Sequence, residues 1–339
     1  MLRSSKGVAS AFAERARYSC RIRFSDIETE LDALIERAVA AIVASTPAPD
    51  AILGDYVGLA SLIRSVSFHE GKLLEQAIIA IGQHNPDLIV LWQSLRLPLT
   101  PAALEAIALN RGGTLKGLSF DADAKTRASY TPDLVVVNRR YHSATILDVK
   151  RSIASYLDTH RLAELKTKML AASLILPDWL YKEHKRLMID TVGIAIVDGA
   201  SAPSDQENGI WAMTEIDDLL EIDGAAEAMT ELRRRFGEKI RALLAAEAHR
   251  LVEANVDKAQ RTRPTCPERS DSFLGAFGQP APTAFAPEGH EDDAEDAARS
   301  SPASGGAIPA SRTGNNFRSA APHIPRTIRV GFARARLDG

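Results

Sequence analysis

The chain has 339 residues, 45% of them hydrophobic and 25% charged, enough to bury a sizeable core in one large domain or two modest ones. A formal net charge of -3 excludes a uniformly basic protein, although an acidic segment can mask a basic face elsewhere. Cys20 and Cys266 belong to no CxxC or Cys/His cluster, which argues against structural zinc and a disulfide framework. With no apolar leader and no run near the ~20 residues that span a bilayer, the expectation is a cytoplasmic protein without a membrane partner.

Residues 1–24 read as a basic, flexible arm. A helix is expected from Ser25 to Thr46, with Ser25 and Glu28 as a capping box and Ile27, Leu31, Leu34, Ile35, Ile42 and Val43 at helical spacing. Pro47, Pro49 and Asp50 break it, and two further helices follow at Gly54–Val66 and Phe68–Gly82. Asn85 to Asn110 reads as two short helices, opened by Asn85-Pro86 and Thr100-Pro101. The character then changes. Strands are expected at Thr114–Phe120, Asp133–Asn138 and Ala144–Val149, the last two joined by a short turn. A helix over Ile153–Leu176 and a buried strand over Leu187–Val197 complete an order of helix, three strands, helix, strand.

After a loop at Pro203–Asn208, a long helix over Ala225–Gln260 carries a stripe of Leu232, Phe236, Ile240, Leu243 and Leu251, read as core. From Arg261 the composition turns to Pro, Ala, Ser and Gly with an acidic knot at Glu288–Asp296, and 261–339 is expected to be a disordered tail. Its basic stretch Arg326–Arg336 reads as solvated. The expectation is therefore one α/β (α+β) domain over 25–260, its core at about 68–197, with helical additions at 25–67, 84–113 and 225–260.

Five acid-x-Lys triplets occur, at Glu70, Asp123, Asp148, Glu164 and Glu183. Only Asp148–Lys150 ends an apolar strand, where side chains two residues apart face the same way, roughly 6.6 Å apart along the chain. Hairpin pairing would bring Asp133 beside Asp148, and two close carboxylates repel unless a cation lies between them. Hard oxygen donors suit a divalent ion, and magnesium is the usual choice beside phosphate. Tyr130 and Trp92 read as core rather than as base-stacking platforms.

The pattern YTPDLVV…ILDVK resembles the PD-(D/E)XK nuclease superfamily, whose restriction-endonuclease-like core has the same αβββαβ order: a central mixed sheet flanked by helices. The resemblance covers about Phe68–Val197. It implies a metal-dependent endonuclease that hydrolyses DNA with Mg2+ or Mn2+, working as a possible homodimer or within a larger complex. It implies that Asp133 and Asp148 bind metal, that the Val149 carbonyl also ligates it, and that Lys150 assists catalysis. An acid on the first core helix often joins such sites; Glu75 matches best and Glu70 is the reserve. A two-helix insertion between Glu75 and the first strand departs from the family pattern. Arg139, Arg140, Arg151, Arg161, Lys166 and Lys168 are expected to contact phosphates without reading sequence. The alternatives are a non-catalytic DNA-binding or protein-interaction module on the same fold, and, more distantly, an RNA-directed nuclease.

Overall fold

Runs such as Leu134-Val-Val-Val and Ile194-Ala-Ile-Val are apolar on both sides of a strand, which requires a sheet covered on both faces. The computed structural model describes residues 16–93, 95–110, 115–116, 120–122, 126, 128–154, 160–200, 203–261 and 328–335. Nearly all of them belong to one unit, residues 1–259 with 325–339.

In chain order the elements begin with β1 (Cys20–Arg21), α1 (Phe24–Ala44), α2 (Val57–Gly82), β2 (Leu88–Leu91), β3 (Leu97–Pro98) and α3 (Pro101–Leu109). Next come β4 (Leu115–Lys116), β5 (Ser129–Tyr130), β6 (Leu134–Asn138), β7 (Ser143–Lys150), α4 (His160–Glu183) and β8 (Thr191–Asp198). The last are β9 (Ile210–Ala212), α5 (Ile216–Leu220), β10 (Ile222–Asp223), α6 (Ala225–Arg261) and β11 (Arg329–Phe332).

The described residues form a mixed α/β fold around a seven-stranded mixed sheet ordered β2-β6-β7-β8-β11-β4, with β9 also on β8. β2, β6 and β7 form an antiparallel meander, whereas β7 and β8 run parallel and pair along all eight residues, Ser143–Thr191 to Lys150–Asp198. Such a parallel pair needs a crossover, which α4 supplies. One face carries Leu134, Val136, Leu147, Val149, Ala195 and Val197 against α1, α2 and α6. The other carries Val135, Val137, Ala144, Ile146, Val192 and Ile194 against α3 and α4. The stripe on α6 packs as expected, with Leu232, Phe236, Ile240 and Leu251 buried.

Several expectations are corrected. The helices expected at 54–66 and 68–82 are one continuous α2. Asn85-Pro86 opens no helix: the Asn85 carboxamide accepts from the Asp87 N–H and donates to the Leu220 and Glu221 carbonyls, and Leu88–Leu91 becomes the edge strand β2. The first strand of the meander is thus β2, and Leu115–Lys116 is a distant edge strand on β11; residues 117–119 lie outside the described ones. The inserted segments accordingly fall between β2 and β6, not before the first strand. Trp92 is 42% exposed rather than core.

The ends of the domain also differ. Within the expected arm, β1 pairs with β10 and Ile22 is buried, because the chain just before α1 is held by the turn that starts α6. α1 itself is capped by the Asp26 carboxylate on the Arg23 N–H (3.1 Å), not by Ser25 and Glu28. Residues 329–332 of the expected disordered tail form β11, parallel to β8 and with Val330 buried. β9 takes the second half of the same β8 edge, so both halves are occupied. Cys266 and residues 262–327 lie outside the described residues.

β11 closes tightly on β8 at Gly193, where an added Cβ would sit 3.0 Å from the Ala333 Cβ and 3.1 Å from its Cα. Gly193→Ala is therefore expected to destabilise the protein by about 1–3 kcal/mol in urea unfolding. It should also speed amide exchange of Val330 and Phe332; unchanged exchange there would show that β11 does not depend on this contact.

Candidate functional site

The β6–β7 register pairs Leu134 with Leu147, and one step further it sets Asp133 opposite Asp148, at the end of the meander away from its turn. Asp148 and Lys150 are both on the α4 side of β7, following Ala144 and Ile146 by strand alternation. Asp148 is 4% exposed. Its Oδ2 accepts a hydrogen bond from the buried Tyr130 hydroxyl at 2.9 Å, and the Lys150 Nζ makes an ion pair with Oδ1. The same ammonium lies 3.9 Å from the Asp133 Oδ2, which also accepts the Val149 N–H at 2.8 Å. A strand residue's N–H and C=O point to the same side, so the Val149 carbonyl faces the side occupied by Asp133.

Electrostatics identify the strained member of the cluster. Burial pushes the Asp133 carboxyl up to about 6, the charges of Asp148 and Glu75 add to this, and the Val149 N–H and Lys150 oppose it. Burial likewise raises Tyr130, and the Asp148 charge reinforces the effect, so its hydroxyl stays a donor.

The two helical acids separate clearly. Glu75 acts on Asp133 through its charge, while its carboxylate is engaged by Lys72 at 2.7 and 3.1 Å. Glu70 faces two guanidiniums instead, Arg151 at 3.7 Å and Arg233 at 3.3 Å. Among the described residues no three His, Cys, Asp or Glu side chains form a ready-made metal-binding group. The donors present are nevertheless hard oxygens whose mutual repulsion shows in Asp133, and that chemistry fits a divalent cation. Asp133, Asp148 and the Val149 carbonyl could hold one, with Glu75 near enough for its charge to act on Asp133 while it pairs with Lys72.

The basic residues divide by position. Arg139 and Arg140 occupy the β6–β7 turn, six and seven residues or roughly 20 Å of strand from Asp133, at the far end of the hairpin from the acids. Arg139 donates to the Pro86 carbonyl, and Arg140 lies over the Tyr141 ring. Arg151 leaves β7 directly after Lys150. Arg161, Lys166 and Lys168 sit in the first turns of α4, which starts from the Lys150 end of the sheet; Lys168 pairs with Glu164 at 2.6 Å. Burial lowers the Lys166 ammonium and Asp205 counters it. Tyr130 is buried core as expected, but its bond to Asp148 was not foreseen from the sequence, and neither was Arg233. The signal for the first was its place three residues before Asp133.

Comparison of the chain with protein-family models, with curated proteins and with solved structures finds no match in any of the three. The described residues contain no helix long and apolar enough to cross a membrane.

Two tests follow from this geometry. The proton affinity of Asp133 is higher folded than unfolded, so its folded protein binds the proton more tightly and stability falls as pH rises from about 4 through 6. Without divalent cations, Asp133→Asn should remove that loss and stabilise the protein at pH 8 by on the order of 2 kcal/mol, with little gain at pH 4. A thermal-unfolding series across pH reads this, and an equal effect at both ends would rule out the charge repulsion. Tyr130→Phe leaves the Asp148 Oδ2 buried without its donor and should cost about 1–3 kcal/mol in denaturant unfolding.

Proposed function

We propose that this chain is a metal-dependent endonuclease acting on DNA, built on a restriction-endonuclease-like PD-(D/E)XK core. Two things support the reading. The order α2, β2, β6, β7, α4, β8 is helix, three strands, helix, strand, and its acids and lysine sit together at one end of β7. The carrying observation is the pairing of a 4%-exposed Asp148 with Lys150 and Asp133, since a fold alone seldom holds two carboxylates so close.

Each side chain then has a role. The Val149 N–H anchors Asp133, and Tyr130 fixes the plane of the Asp148 carboxylate, so both acids are held in place before substrate arrives. Bound Mg2+ or Mn2+, held by Asp133, Asp148 and the Val149 carbonyl, would supply positive charge to the scissile phosphate and acidify a water. The Lys150 ammonium would orient the attacking water or donate hydrogen bonds to the phosphate oxygens as negative charge develops on them. Burial behind β5 and α4 lowers the local dielectric and strengthens each of these contacts.

Plasmid cleavage with magnesium is the test. Asp148→Ala and Lys150→Ala should each lower the rate by about 10²–10³-fold. Cleavage that survives both substitutions would sink the site. Metal-independent DNA binding without cleavage of any DNA would favour a non-catalytic module on this fold.

A further inference from the structure

Arginines on α6 behave in two ways. Arg235 is saturated: Glu28, Asp32 and Glu231 lie 2.7, 2.9 and 2.8 Å from it. Arg233, two positions earlier, meets only Glu70 at 3.3 Å among the described residues, and its Nε is buried with no hydrogen-bond partner there. A tight charge-assisted bond measures about 2.7–2.9 Å, so the Glu70 contact is loose.

The same Glu70 carboxylate faces Arg151 through its other oxygen, at 3.7 Å. One acid thus gathers two guanidiniums, one from α6 and one from the residue that follows Lys150, and leaves net positive charge. Beside Arg233 is a cavity of about 540 Å³, lined by that arginine with Ser204, Ala212, Met213, Thr214, Glu215 and Thr230. The Glu215 carboxylate in that lining is turned to the Ala212 N–H at 3.3 Å. Ala212 of that lining pairs with Asp198, the partner of Lys150, so the cavity lies at the same end of the sheet as the candidate site.

We propose that Arg151 and Arg233 form a subsite for a backbone phosphate of the nucleic-acid strand, flanking the one that Lys150 approaches. This rests on the DNA reading above. Planar guanidiniums grip phosphate oxygens in pairs, and an anion carrying more oxygens than Glu70 satisfies donors that Glu70 leaves loose. Glu70 is then a placeholder: it holds the two arginines together in the free protein and competes with the phosphate. In this reading Glu70 serves the arginines rather than a metal.

The test measures binding of a fluorescein-labelled DNA duplex by anisotropy, in EDTA and over a range of salt, with no cleavage to be read. Arg233→Gln and Arg151→Gln should each weaken binding about tenfold and reduce the salt slope by about one. Glu70→Gln should strengthen binding, because it frees both guanidiniums. A purely structural bridge predicts the reverse for Glu70, so weaker binding by Glu70→Gln overturns the subsite. So does wild-type affinity in both arginine variants. Arg151 is 51% exposed, and its substitution carries the test if Arg233→Gln proves poorly folded. A wild-type protein that binds no DNA defeats the nucleic-acid reading itself, a result distinct from loss of the subsite alone.

Discussion

Asp148 is a carboxylate set into the wall of an apolar sheet, and the surrounding arrangement follows from the cost of keeping it there. Moving a charge out of water is expensive unless partners replace the lost hydration. Here the partners come from separate elements: a hydroxyl from β5 and an ammonium two residues along β7. Asp133 is brought alongside by the meander register and adds repulsion rather than relief, which is why its own proton affinity rises. Lys150 faces both acids, so it cannot leave without exposing one to the other.

This constraint explains the helices as well. β7 pairs along its length with β8, and both faces of the pair must be covered, so α4 lies on one side and α1, α2 and α6 on the other. The layer that covers the second face brings Glu75 within electrostatic range of Asp133, and Glu70 beside the exit of β7. Packing alone therefore supplies a set of charged groups around one end of the sheet, and α6 adds Arg233 to it.

Much of this was readable in the sequence where the signal was local. The runs DLVVVN and ATILDV are β-branched, are joined by a short turn, and fold as β6 and β7; strand parity then sets Asp148 and Lys150 side by side. β2 was misread because Asn85-Pro86 imitates a helix start, and only the distant Leu220 and Glu221 carbonyls reveal what Asn85 binds. The sequence pattern favours Glu75 over Glu70 but gives no hint of what Glu70 binds, since Arg233 lies 163 residues from it. β11 escaped for a related reason. Its four residues carry too little pattern to stand out from Pro- and Ala-rich surroundings, and its strand character comes from the edge it meets.

That edge has a history in time as well as a place in space. During synthesis, residues 191–194 emerge long before residues 329–332, while β6, β7 and β9 are already at hand to pair. For that interval the first half of β8 presents open amides and carbonyls beside an apolar surface, the kind of edge that recruits strands from other chains. Docking of β11 closes that edge only once residues 329–332 have been made, so residues 195–328 set the interval for which it stays open.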